Sequence, residues 1–149
     1  MRLDADHVFE DRRARIVDLD GDGADALLVV RTHLQLGAAL ALYDVVDGRV
    51  RQRAVAEPIG QPYRWLNPVG VADFDGDGRT EIAAVVTPHL AGTLTIYRES
   101  EGALVSVSAI DSYSNHAIGS REQGLAAIAD FNGDGVDDII LPTLGYRRV

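Results

Sequence analysis

The chain has no cysteine, so neither a disulfide framework nor a thiolate metal centre is open to it, and cysteine usage leaves its redox compartment undecided. It has no long apolar run. The longest, such as "ALLVV" and "IIL", fall far short of the roughly 20 residues that a membrane-spanning helix needs. The opening "MRLDADHVFEDRR" carries no apolar stretch of the export-signal kind. Positive charge is scarce: 14 basic against 23 acidic residues give a formal charge of -9 and a pI near 4.7. That balance argues against nucleic-acid and anionic-membrane partners, which require basic patches. Aromatics make up only 6%, with one Trp. No segment shows a helical period with caps, so the expectation is an almost all-β protein. A hydrophobic share of 46% over 149 residues is enough for one domain with a sizeable core.

What is present is acid, and it is concentrated. The stretches "DLDGDGADA" (18–26), "DFDGDGRTE" (73–81) and "DFNGDGVDD" (130–138) hold 12 of the 23 acidic residues. Carboxylates at such spacing repel unless a cation lies among them or water screens them. One divalent cation in each window would take the formal charge from -9 to -3. The windows begin 55 and 57 residues apart, and the likeness extends beyond the acids. Short small or β-branched runs precede them ("RIVD", "GVAD", "AIAD"), and apolar runs follow ("ALLVVRT", "EIAAVVT", "DIILPT"). Further on lie "AALALYDVV" and "GTLTIYRES", each ending in a tight-turn signal, "DG" or "EG", and then the alternating "RVRQRAV" or "ALVSVSAI".

Each unit therefore reads as strand a, acidic loop, strand b, loop, strand c, tight turn and strand d: four antiparallel strands, the makings of a β-propeller blade. Small residues in strand a (Gly70, Ala72, Ala126, Ala127, Ala129) suit a crowded position near a propeller axis. The repeats run over about 14–57, 70–111 and 124–149 within a single domain of 1–149, about three blades in all. The third stops at the start of its strand c, and residues 3–9 are available as a closing strand d. One expectation is that two chains close a six-bladed homodimer, each N-terminal strand completing the other's last blade; a stable monomer in size-exclusion chromatography with light scattering would contradict it. The alternative is a piece of a longer propeller.

Within the loops the spacing is informative. Calcium takes six to eight oxygens, and side chains at positions 1, 3 and 5 of a tight loop converge on one centre, with Gly at 6 permitting the reversal. A backbone carbonyl at 7 and a carboxylate at 9 complete the set. The predicted ligands are Asp18, Asp20, Asp22 and the Ala24 carbonyl in the first loop. They are Asp73, Asp75, Asp77, the Arg79 carbonyl and Glu81 in the second. In the third they are Asp130, Asn132, Asp134, the Val136 carbonyl and Asp138. The first loop has Ala26 at position 9 and so lacks one ligand; Asp25, at position 8, is expected to face away. The reading gives two to three Ca2+ sites per chain. An EF-hand is excluded, because its bidentate Glu at position 12 is replaced by Val29, Ala84 and Leu141 inside apolar runs. Magnesium, which keeps its waters and takes few carboxylates, fits less well.

The stretches "VADFDGDGRTEIAAV" and "IADFNGDGVDDIIL" resemble the calcium loops of FG-GAP/VCBS repeats, the blades of integrin-α-type β-propellers. The resemblance implies structural calcium, a secreted, cell-surface or periplasmic setting, and a propeller face that contacts protein or carbohydrate. If the acidic loops lie on one face, the b-to-c loops and the d-to-a crossovers lie on the other. Gathered there are His33, Tyr63, Arg64, Trp65, Asn67, His89, Tyr113, Asn115, His116, Arg121 and Glu122, including the only Trp. Aromatics beside hydrogen-bonding groups suit sugar stacking or a protein anchor; equally, they pack between blades and cap loops. Related propellers include polysaccharide lyases and hydrolases, so a fragment of a secreted enzyme using His116, Arg121 and Glu122 is the alternative function. No nucleophile motif, His metal cluster or phosphate loop supports it, and fold alone carries no chemistry. The expectation is a non-enzymatic module.

Overall fold

The structure, a computed structural model, describes residues 2–149, and among them it contains eleven β-strands and no helix. The chain is all-β, as composition and period predict. It divides into two compact units, residues 1–65 with 99–105, and residues 66–98 with 106–149.

In the first unit, β2 (Arg15–Val17), β3 (Ala26–His33), β4 (Gly37–Val46) and β5 (Arg49–Ala56) form an antiparallel meander, the a-b-c-d order of a propeller blade. The pairs Ile16 with Leu27, Val29 with Ala41, and Leu42 with Ala54 set its register. Alternation places Leu28, Val30, Leu40, Leu42 and Ala54 in full burial. Val29, Ala41 and Tyr43 form a second cluster with Leu27, Val50 and Val55. The β4–β5 turn places Asp47 at φ 52° and Gly48 at φ 69°, the paired positive φ of a type I′ hairpin turn. Residues 101–102 repeat it at 49° and 81° between β8 (Thr93–Ser100) and β9 (Ala103–Ile110). Within this unit Val55 and Ala56 also pair in parallel with Ala103 and Leu104.

The N-terminal segment is seated differently from the closing strand d read into residues 3–9. β1 (His7–Phe9) pairs antiparallel with β3 of its own chain, His7 opposite His33 and Phe9 opposite Arg31, on the edge that β2 also occupies further along. Between the two short strands, the Asp11 carboxylate accepts the Val30 N–H and pairs with Arg15 at 2.8 Å. A side chain thus replaces a ladder carbonyl, and strand a is built in two pieces.

In the second unit β6 (Leu66–Ala72), β7 (Glu81–Val86) and β8 pair in order, and β9 follows β8 in the sheet. The register shifts between Pro68 and Gly70, where proline has no N–H to give to the ladder. β10 (Ala127–Ala129) and β11 (Asp138–Ile140) form a separate antiparallel pair, the a and b strands of the third repeat. No strand c follows among the described residues. Thr143 instead bridges Tyr113, and its N–H bonds to the Arg148 carbonyl, so the end of the chain turns back. Ala83, Val85, Leu94 and Leu141 form the buried core, with Phe74, Ile96, Tyr113 and Ile139 packed on it. Of the small residues of strand a, Gly70 serves close approach, since a Cβ there would stand 2.6 Å from Ile128 Cδ1 of β10, whereas Ala127 and Ala129 are exposed rather than crowded.

Candidate metal centre: the acidic loops

Each acidic loop joins a strand a to its strand b, and each is wound around its first carboxylate. In the second loop Asp73 Oδ1 accepts the N–H groups of Gly76 (2.7 Å) and Asp77 (3.2 Å), and Oδ2 accepts that of Gly78 (2.8 Å). Asp75 accepts the Asp77 N–H at 3.2 Å, and Asp77 accepts that of Arg79 at 2.9 Å. Glu81 closes the loop by accepting the Phe74 N–H at 3.1 Å. Gly76 and Gly78 take φ of 74° and 85°, which lets successive amides turn inward.

The third loop repeats this pattern bond for bond. Asp130 accepts from Gly133, Asp134 and Gly135, Asn132 from Asp134, Asp134 from Val136, and Asp138 from Phe131. The backbone amides, first that of Gly135, hold the Asp130 carboxyl below its ordinary range. The two loops also approach each other, since a Cβ on Gly76 would lie 3.1 Å from Val136 Cγ2. The first loop keeps only part of the pattern: Asp18 accepts from Gly21 and Gly23, and Asp22 from Ala24. Ala26 has no carboxylate to return to position 2, and it is buried opposite Asp44 of β4.

The donor set fits a hard cation. Carboxylate oxygens of Asp73, Asp75 and Glu81 lie within 4.8 Å of one another, and so do those of Asp18, Asp20 and Asp22. Among the described residues these are the close groups of three acids; in the third loop Asn132 takes the place of one of them. Glu81 is almost fully buried, at 1% exposure, on an otherwise apolar strand. A carboxylate is tolerated there only with charged or hydrogen-bonding partners.

Two arginines that the sequence did not announce pair with the acidic loops, one of them with Glu81. Arg98 of β8 places Nη2 at 2.9 Å from Asp75, 3.3 Å from Asp77 and 2.5 Å from Glu81, and Nε at 2.9 Å from Glu81. Arg53 of β5 reaches Asp20 and Glu99 at 2.9 Å each and Asp44 at 3.7 Å. The Arg53 hydrogen bond is the main reason that the Asp20 carboxyl is held below its usual range. Both guanidiniums are correspondingly harder to deprotonate, Arg53 chiefly through Glu99 and Arg98 chiefly through Glu81.

At the other ends of the strands, each b-to-c loop meets the following crossover within its own unit. Ala38 N bonds to the Arg64 carbonyl, and Tyr113 N to that of Gly92. Several candidate ligand-face residues have local tasks there. His33 Nδ1 accepts from the Gln35 and Leu36 N–H groups and so caps its loop. His89 Nε2 lies 2.6 Å from Nδ1 of the buried His116, whose Nε2 faces the Ser120 carbonyl at 3.0 Å. Partial burial, then the neighbouring imidazole, holds His89 below the ordinary histidine range. Asn67 and Asn115 are buried and tie the crossover together through the Gln123 and Asn67 carbonyls. Tyr113 packs on the core and bridges Thr143. Trp65 and Arg64 are half-buried; Arg121 and Glu122 are exposed, Glu122 accepting the Gly124 N–H. Tyr63 stands out at 95% exposure with φ 58°.

Residues 18–84 match the family model described as an FG-GAP-like repeat, a span that opens at the first acidic loop and ends within β7. No curated protein and no solved structure gives a match. Over residues 18–84 the chain is therefore similar to an FG-GAP-like repeat.

Proposed function

We propose that this propeller-like chain is a calcium-stabilised, non-catalytic module that presents its crossover face to a protein or carbohydrate. The observation that carries the reading is the second loop, in which three carboxylates converge within 4.8 Å while Asp73 is held in place by three backbone N–H groups. The third loop's identical hydrogen bonds extend the reading to Asp130, Asn132, Asp134 and Asp138. A bound cation would neutralise these carboxylates and fasten strand a to strand b. The residues do the positioning: the glycine reversals turn the loop, and Glu81 and Asp138 draw position 9 back onto position 2. The first loop, with Ala26, is the weaker candidate.

A secreted or surface setting agrees with this reading, because exposed acidic loops of modest affinity load at the millimolar calcium found outside cells. In the crossover that follows β5, Tyr63 is exposed and Trp65 and Arg64 are half-buried, which gives this segment aromatic and cationic groups for a ligand. The histidine and glutamate of the enzymatic alternative are engaged in hydrogen bonds that organise the crossover, which favours binding over catalysis. Glycan and peptide arrays check the binding role. Tyr63→Ala, at a fully exposed side chain, is expected to keep the wild-type melting temperature and to lower array signal about tenfold, the scale of an aromatic hot spot. Unchanged array signal would remove this face from the proposal.

A further inference from the structure

We propose that Arg98 is the built-in counter-ion of the second loop, a side chain that an incoming cation must displace and that thereby sets the loop's affinity. The inference rests on the calcium reading above. Arg98 engages positions 3, 5 and 9, so three of the four carboxylates assigned to the cation already share one guanidinium, at 2.9, 3.3 and 2.5 Å. A calcium ion needs those same oxygens at about 2.3–2.6 Å around one centre. The oxygens cannot close on a cation while the guanidinium nitrogen stands among them, and two positive charges at that separation repel. Cation entry is therefore an exchange: the Arg98 pairs break, the carboxylates re-aim, and the guanidinium moves out to water. Observed affinity falls by the fraction of molecules in which Arg98 has already left.

The first blade supports this by arriving at the same end from a different strand. In the second blade, position 9 is Glu81, with Arg98 of β8 paired to it. In the first blade, position 9 is Ala26, and the residue opposite on β4 is the acidic Asp44, so the charges of the two places are changed together. Yet an arginine is again present, Arg53 from β5, reaching Asp20 and Asp44. Both loops carry a guanidinium although the residue that provides it differs in position and strand. The arrangement partly neutralises each of these two loops without metal, and makes calcium a competitor for contacts that already exist.

Two measurements on the 149-residue chain test this. Calorimetric titration of calcium into the Arg98→Gln variant is expected to show the second-loop event, identified by its loss in Asp77→Ala, about tenfold tighter than in wild type. Arg98→Gln is also expected to melt lower than wild type in EDTA and to gain more from calcium, since Glu81 has lost its partner. The second measurement needs no variant that folds: the side-chain Nε–H resonance of Arg98 in the wild-type NMR spectrum should shift and exchange faster with water as calcium is added, and return with chelator. Calcium binding that leaves that resonance unmoved, or second-loop affinity unchanged or weaker in Arg98→Gln, would overturn the inference while leaving the calcium reading intact. No calcium binding to any variant would overturn both.

Discussion

Gly92→Ala lowers the stability of the folded chain by roughly 3 kcal/mol, combining left-handed backbone strain of about 1–2 kcal/mol with overpacking of about 1–3 kcal/mol. Gly92 lies just before β8 at φ 63°, and a Cβ there would stand 2.0 Å from the Tyr113 carbonyl oxygen. That carbonyl belongs to backbone, and the Tyr113 N–H bonds to the Gly92 carbonyl at 2.8 Å, so neither strand can withdraw without losing the contact. Leu144 Cδ1 at 3.4 Å blocks a third direction. For a chain of this length the loss corresponds to a fall of about 6–12 °C in melting temperature. Thermal denaturation followed by circular dichroism reads it directly; a shift under 2 °C would mean that the crossover does not hold the place described. Gly78→Ala is the control: its φ of 85° carries the backbone strain, but nothing lies within 4 Å of the added methyl, so its effect should be smaller by about half.

Glu81→Ala is expected to remove roughly 2–4 kcal/mol in the absence of metal, the range for deleting a buried charged hydrogen-bonding partner. The side chain is 1% exposed, and its loss leaves the Phe74 N–H without its acceptor and Arg98 without its shortest pair. Glu81→Gln preserves shape and an oxygen for Phe74 while removing the charge, so it should recover about half of the loss. Urea denaturation in EDTA provides the comparison. With calcium present the variants should separate further, because Glu81 is assigned to the cation as well as to the loop. If Glu81→Ala unfolds at the wild-type urea concentration in EDTA, the carboxylate is not the closing element of the second loop.

The strands were legible in the sequence because their signals are local. Runs such as "ALLVVRT" and "EIAAVVT" are apolar and β-branched, "DG" and "EG" carry the positive φ that a two-residue turn requires, and the acidic windows recur at nearly constant spacing. The spacing singles out Glu81 and Asp138 as position-9 ligands, but it does not announce that they accept the Phe74 and Phe131 N–H groups and so close the loops. What else was not readable depends on pairing across the sheet. β1 takes its place on β3 because Asp11 substitutes for a carbonyl at Val30, a contact spanning 19 residues. The end of the chain turns back because Thr143 finds Tyr113 rather than a neighbouring strand. Arg98 and Arg53 lie 17 and 33 residues from the carboxylates they meet, and only the β7–β8 and β4–β5 registers bring them there. His89 and His116, read as members of a ligand face, come together through the crossover although they are 27 positions apart in the chain.

The central claim is that the acidic loops hold calcium in the folded state alone. A cation bound only by the native chain stabilises it by about 2.7 kcal/mol at one hundred times its dissociation constant. The most direct measurement is therefore the melting temperature in EDTA and across a calcium titration into the millimolar range, for wild type and for the Asp77→Ala, Asp134→Ala double variant. The account predicts a rise of several degrees that grows with the logarithm of calcium concentration in wild type and is largely abolished in the double variant. A wild-type melting temperature that is the same in EDTA and in millimolar calcium would contradict it.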